Sequence, residues 1–232
     1  VLGFWRLFFA VILSVALVRL NKQELLPKKL KPKLGTVLIA GFLFWLHFWL
    51  WFHSVALTTI ANSTLLFCMN PLFVAIGSVV FEKQRISGRL VFAIVMGLIG
   101  LAIMQRDALQ FSKDRIWGDS LALLASIAFA GYLLMVKRLR QEGSNFTLTF
   151  WFNLVSFLGF AVVVAVSDGR LWGYGWISWV CFLGMALGPS LLGHGLFTYS
   201  LKYLNTALAS CFVLTEPLMA AISAAIIFNE QV

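Results

Sequence analysis

Eight apolar stretches, each close to the length of a membrane-spanning helix, fill most of this 232-residue chain. They run roughly over 1–18, 35–57, 63–81, 90–105, 119–136, 148–166, 176–201 and 207–228. About 20 apolar residues in a helix cross a bilayer. Backbone groups in lipid must be satisfied within their own segment, so the pattern predicts helices, and no polar–apolar alternation supports a barrel. Composition agrees: the chain is 61% hydrophobic and 12% charged, where a soluble domain carries about 25% charged residues. The fold class expected is an all-α integral membrane protein in the cell membrane, the inner membrane if the host is a bacterium.

Charge orients the spans. The longest polar connection, 19–33, holds Lys22, Lys28, Lys29, Lys31 and Lys33. With that loop cytoplasmic, alternation places 82–89, 137–147 and 202–206 inside as well, and these four hold 13 of the 18 Lys and Arg. The outer loops 54–62, 106–118 and 167–175 hold 4, and Arg6 lies within the first span. That bias follows the positive-inside rule. It accounts for the net charge of +9 without a nucleic-acid partner; the expected partners are the bilayer and a small-molecule substrate.

The chain also repeats itself. Shifted by 146 residues, 1–86 aligns with 147–232 without a gap, with 14 of 86 positions identical. Phe4-Trp5 meets Phe150-Trp151, Ser54 meets Ser200, Ala61 meets Ala207, and Pro71-Leu72 meets Pro217-Leu218. Spans one to three therefore match six to eight. The offset of five spans is odd, so matched helices run in opposite directions, the pattern of an inverted-repeat transporter. The expected halves are 1–105 and 119–232. By the same symmetry the fourth and fifth spans lack partners, so the intact protein is expected to have ten helices, eight of them in this chain.

Several stretches resemble the drug/metabolite transporter superfamily, specifically its EamA-type members. They are Phe4-Trp5-Arg6-Leu7, Ala61-Asn62-Ser63 through Asn70-Pro71-Leu72-Phe73, and Ala207 to Glu216-Pro217-Leu218, closing on Phe228-Asn229-Glu230. The resemblance implies two inverted five-helix halves and export or exchange of metabolites, often amino acids, through a central cavity. An Arg in the first helix is common in that family, which favours a structural role for Arg6. Gln84 departs from the pattern, since members often carry a Glu there, as Glu230 does in the second half.

Ionisable groups inside membrane helices are expensive and become functional suspects. Glu216 sits among apolar residues and precedes Pro217, whose missing N–H exposes a backbone carbonyl one turn earlier. A substrate-amine or proton site is expected there, with burial of the carboxyl assumed, which makes the proton a candidate coupling ion. Asn70, before Pro71, is its repeat mate. His47 and His194 offer imidazoles to a cavity, and Tyr199, Asn153 and Trp49 offer weaker polar or aromatic lining, with Tyr132 and Ser200 behind them. Arg6 either reaches the cavity or snorkels outward. His47 and His53 are six residues apart, nearly opposite on a helix, so no metal face forms and no metal or cofactor is expected. Cys68, Cys181 and Cys211 sit in apolar runs and read as small core residues rather than a disulfide framework.

No G-x-S-x-G, H-E-x-x-H or Walker-type pattern occurs, so catalysis is not expected. The reading is a secondary transporter for a small polar metabolite such as an amino acid, exporting by alternating access. A channel or facilitator is the rival within transport, and a membrane enzyme or receptor the rival outside it. Neither substrate nor oligomeric state is legible.

Overall fold

The structure, a computed structural model, describes residues 1–167 and 169–228, apart from the side chains of Ala224, Ile227 and Phe228. Asn229 and Glu230, which close the family-like segment, lie outside the described residues. Among the described residues every regular element is helical. The α-helices are α1 Leu2–Leu20, α2 Leu34–Leu57, α3 Ile60–Phe67, α4 Asn70–Glu82, α5 Gly88–Met104 and α6 Ile116–Leu139. They continue with α7 Asn145–Val166, α8 Trp176–Met185, α9 His194–Ser200, α10 Thr206–Ser210 and α11 Glu216–Phe228. Among the described residues seven helical segments are long and apolar enough to cross a membrane; α5, at 17 residues, is apolar but shorter.

Three spans that the sequence presents as single apolar runs are interrupted, each at a proline. The third divides into α3 and α4 beside Pro71. The eighth passes from α10 through a 3₁₀ segment, Cys211–Thr215, into α11 beside Pro217. The seventh contains a π-helical turn, Ala186–Gly193, around Pro189. The starts of α4 and α11, Asn70 and Glu216, are 146 residues apart, as are the residues that cap α3 and α10, Thr59 and Asn205. Both spacings equal the 146-residue shift of the sequence alignment, whereas α2, aligned with the broken seventh span, is continuous.

The chain forms two compact units, Val1–Phe48 with Met135–Leu204, and Trp49–Leu134 with Asn205–Val232. In the first, α1 packs along α7 and against α8 and the π turn. Small residues permit the close approach. A methyl added at Gly3 would stand 2.9 Å from the Phe160 ring, and one at Gly159 would stand 2.5 Å from Trp45. Ser156 Oγ donates to the Gly41 carbonyl at 3.3 Å. In the second unit α4 packs on α10, with α5 against α3, α4 and the 3₁₀ segment. Large apolar side chains such as Phe92, Val162, Leu192 and Phe212 remain exposed. In a membrane they meet lipid instead of water.

Within each unit the loops sort as the charge argument requires. In the first, the 19–33 loop folds over the start of α7. Trp151 Nε1 donates to the Leu25 carbonyl at 2.7 Å, Thr147 Oγ1 donates to that of Glu24 at 3.0 Å, and Lys33 pairs with Glu142. Lys137 reaches the carbonyls of Leu201 and Leu204, both at 2.8 Å. Three basic loops therefore meet at one end. In the second unit Asn205 Nδ2 donates to Gln84 Oε1 at 2.7 Å, joining 82–89 to 202–206. Thr58 Oγ1 donates to Asp119 at 2.6 Å and Asn62 Nδ2 to the Gln110 carbonyl at 2.9 Å, joining the two outer loops there.

Candidate functional site

A proline has no N–H for the carbonyl four residues back. In apolar surroundings an unmet carbonyl is costly, so another donor must supply the bond. At each interrupted span a side chain approaches that carbonyl, although at Val213 the backbone N–H of Glu216 donates as well. Ser126 Oγ donates to the Phe67 carbonyl, four before Pro71, at 2.9 Å. Ser190 Oγ donates to the Met185 carbonyl, four before Pro189, at 3.2 Å. The Cys68 thiol approaches the Val213 carbonyl, four before Pro217, at 3.8 Å. A thiol is a weak donor, so the third is the weakest of the set.

In the first unit this arrangement gathers a buried polar cluster. Arg6, 8% exposed, points its Nε at Ser190 Oγ, 2.7 Å away. Its guanidinium carbon lies 4.6 Å above the Phe48 ring, a cation–π arrangement. His194, the first residue after the π turn, places its ring 4.9 Å from Phe44 and 5.4 Å from Phe48. His47 is 3% exposed and its ring centroid is 6.2 Å from that of His194. One cation, two imidazoles and a hydroxyl therefore converge beside the π turn. Charged and ionisable groups within membrane helices mark transport pathways as a rule, and π turns recur at functional sites.

Of the two alternatives left open for Arg6, the structure shows the enclosed one: its side chain does not snorkel to the surface but is buried and tied to the π turn. Ser190 was missed altogether, although a hydroxyl directly after a mid-span proline is a usable signal. Ser126 carries no comparable signal, because its use depends on which helix packs beside Phe67.

The remaining candidates scatter. Asn70 is fully buried and donates Nδ2 to the Ser126 carbonyl at 2.9 Å, while its Oδ1 has no hydrogen-bond partner among the described residues. Glu216 opens α11, is exposed, and lies within electrostatic reach of Cys68. The enclosure assumed around its carboxyl is therefore not found, because α11 begins at this residue and turns its side chain out of the packing. Asn153 is buried and donates to Ser14 Oγ at 3.2 Å, where it joins α7 to α1. Trp49 lies against His53, ring centroids 4.4 Å apart. Tyr199 stands at the end of α9, bonded to Tyr203 at 3.4 Å between hydroxyls. Among the described residues no three His, Cys, Asp or Glu side chains gather as metal ligands do.

Several apolar spans with a charged cluster enclosed beside a broken helix define a multi-pass integral membrane protein. The model of the EamA-like transporter family matches residues 1–106 and 116–232, and the chain belongs to that family. It is 27% identical over 179 residues to an uncharacterized transporter of Archaeoglobus fulgidus, covering 76% of this chain and 62% of that one. It is 23% identical over 189 residues to an uncharacterized transporter of Clostridium kluyveri, covering 77% and 59%. The chain thus spans about three-fifths of the length of these curated relatives. A solved crystal structure superposes with a TM-score of 0.84 at 15% identity, covering 100% of this chain and 81% of the other, a likeness of fold.

Proposed function

We propose that the protein is a secondary transporter that exports a small polar metabolite, an amino acid for example, by alternating access between two inverted halves. The observation that carries this reading is the buried Arg6–Ser190 pair beside the π turn of α8 and α9. A cation is held inside a span at high desolvation cost, and the helix it grips has the irregular backbone that transporters reserve for cavities. The names of family and relatives point to transport rather than catalysis. Glu216 is the candidate for proton coupling.

The test is a flux panel in proteoliposomes made with the full-length protein. Amino acids and other small polar metabolites are loaded on one side and followed on the other. Counterflow, in which unlabelled solute on the far side accelerates labelled uptake, is expected of an alternating-access carrier. Flux that is linear in concentration and shows no counterflow would instead establish a channel. Transport undiminished in Arg6→Gln would remove the cluster from the pathway.

A further inference from the structure

The first unit holds a second polar site, distinct from the Arg6 cluster, at the end where its basic loops meet. A cavity of about 560 Å³ opens between the turn after α6, the start of α7 and the end of α9. Its volume falls within the range of small-molecule pockets, about 300–1,000 Å³.

The groups around it favour an anion. Arg140 lines the cavity and is 4% exposed. Its Nε donates to the Thr198 carbonyl at 3.1 Å and one Nη to the Gly143 carbonyl at 2.6 Å. These two bonds fix the guanidinium and use two of its five N–H groups. Lys202 also lines the cavity and is exposed. Asn145 and Phe146, the first two residues of the 22-residue α7, line it as well. The opening N–H groups of a helix have no partner within it and carry the positive end of its dipole. Tyr203 adds a hydroxyl donor, its oxygen accepting from Tyr199. The single acid on the wall, Glu142, is paired with Lys33. Burial lowers the Arg140 pKa from its ordinary value, a penalty that a bound anion would relieve.

Position narrows the ligand. The cavity lies where loops 19–33, 137–147 and 202–206 converge, the end of the spans that carries the Lys and Arg excess. Headgroups of anionic lipids occupy that level of a membrane, and basic pockets between helices there hold their phosphates. An Arg fork with a helix N-terminus is suited to phosphate oxygens. We infer that this cavity binds a phosphate anion, presented by the headgroup of an anionic phospholipid in the adjacent leaflet.

The test uses the full-length protein in nanodiscs of zwitterionic phosphatidylcholine, titrated with phosphatidylglycerol and followed by native mass spectrometry. The wild type is expected to retain one phosphatidylglycerol in preference to phosphatidylcholine. Lys202→Gln, an exposed change that leaves folding intact, is expected to weaken that retention about tenfold, the worth of roughly 1.4 kcal/mol. Arg140→Gln should weaken it further, with the melting temperature as the control for its bonds to Thr198 and Gly143. Soluble glycerol phosphate is the second arm. Failure to displace the lipid at millimolar levels supports the headgroup as source. Displacement that depends on the same two residues overturns the lipid source and leaves a soluble phosphate in its place. Equal retention in wild type and Lys202→Gln overturns the site.

Discussion

Arg6 Nε stands 2.7 Å from Ser190 Oγ, so a buried cation is tied to the π turn around Pro189 by one charge-assisted hydrogen bond. Ser190 in turn donates to the Met185 carbonyl, which makes a continuous chain from guanidinium to hydroxyl to backbone. The hydroxyl thus meets two needs at once: a donor for the carbonyl that Pro189 cannot serve, and an acceptor for Arg6. Moving the π turn must therefore move Arg6.

Arg6→Lys tests that coupling. Lysine keeps the charge but loses the planar fork and the Nε–H. Hydrogen bonds to charged groups contribute about 1.5–3 kcal/mol, so the melting temperature in detergent should fall by several degrees. Transport in proteoliposomes should fall at least tenfold. Ser190→Ala should reduce stability by a similar amount, because it removes the acceptor for Arg6 together with the hydroxyl bond to the Met185 carbonyl. A wild-type rate in both variants would show that the pair only holds the helices together.

The three proline carbonyls should differ in their sensitivity. Ser126→Ala removes a hydroxyl donor at 2.9 Å from the Phe67 carbonyl. Leaving a buried acceptor unmet costs about 1–3 kcal/mol. Cys68→Ala removes only a thiol at 3.8 Å from the Val213 carbonyl, and its cost should stay below about 1 kcal/mol, near the worth of the lost side-chain burial. Thermal unfolding of the two single variants decides the order. A larger loss for Cys68→Ala would reverse the reading.

Close helix approach makes a sharper contrast between glycines. A Cβ at Gly118 would lie 2.7 Å from the carbonyl carbon of Leu57 and 2.8 Å from the nitrogen of Thr58. Both are backbone atoms that cannot rotate away, so Gly118→Ala should cost at the upper end of the roughly 1–3 kcal/mol of overpacking. At Gly100 the added methyl meets nothing within 4 Å, and Gly100→Ala should lose no stability, since alanine favours the helix. Melting temperature and expression yield of the two variants are the measurements.

Much of this architecture was legible because lipid imposes simple rules. Span lengths and loop charge follow from the bilayer, and the helix starts at Asn70 and Glu216 reproduce the 146-residue offset of the sequence alignment. Apolar patterning could not show where a span breaks, since a run of Leu, Ile and Phe reads the same on either side of a proline. Partner choice was equally hidden. Ser126 lies 59 residues from Phe67, and Ser190 lies 184 from Arg6. His47 and His194 were both offered to a cavity, yet what brings their rings together is the packing of α2 and α9 within one unit.

The repeat mates Asn70 and Glu216 should not be interchangeable. Asn70 is fully buried and donates to the Ser126 carbonyl, a bond an ionised carboxylate cannot make. Asn70→Glu places a charge in an enclosed site, a change that costs several kcal/mol for an unpaired ion. That variant should express poorly or unfold early. Glu216 is exposed at the start of α11, so Glu216→Gln should fold normally. If Glu216 couples transport to protons, Glu216→Gln should retain counterflow while losing acceleration by an imposed pH gradient. Parallel measurement of melting temperature, counterflow and gradient-driven flux separates the effects. A Glu216→Gln protein that still responds fully to the gradient would place proton coupling elsewhere, and an Asn70→Glu protein as stable as wild type would show that the first half tolerates the charge that the second half carries.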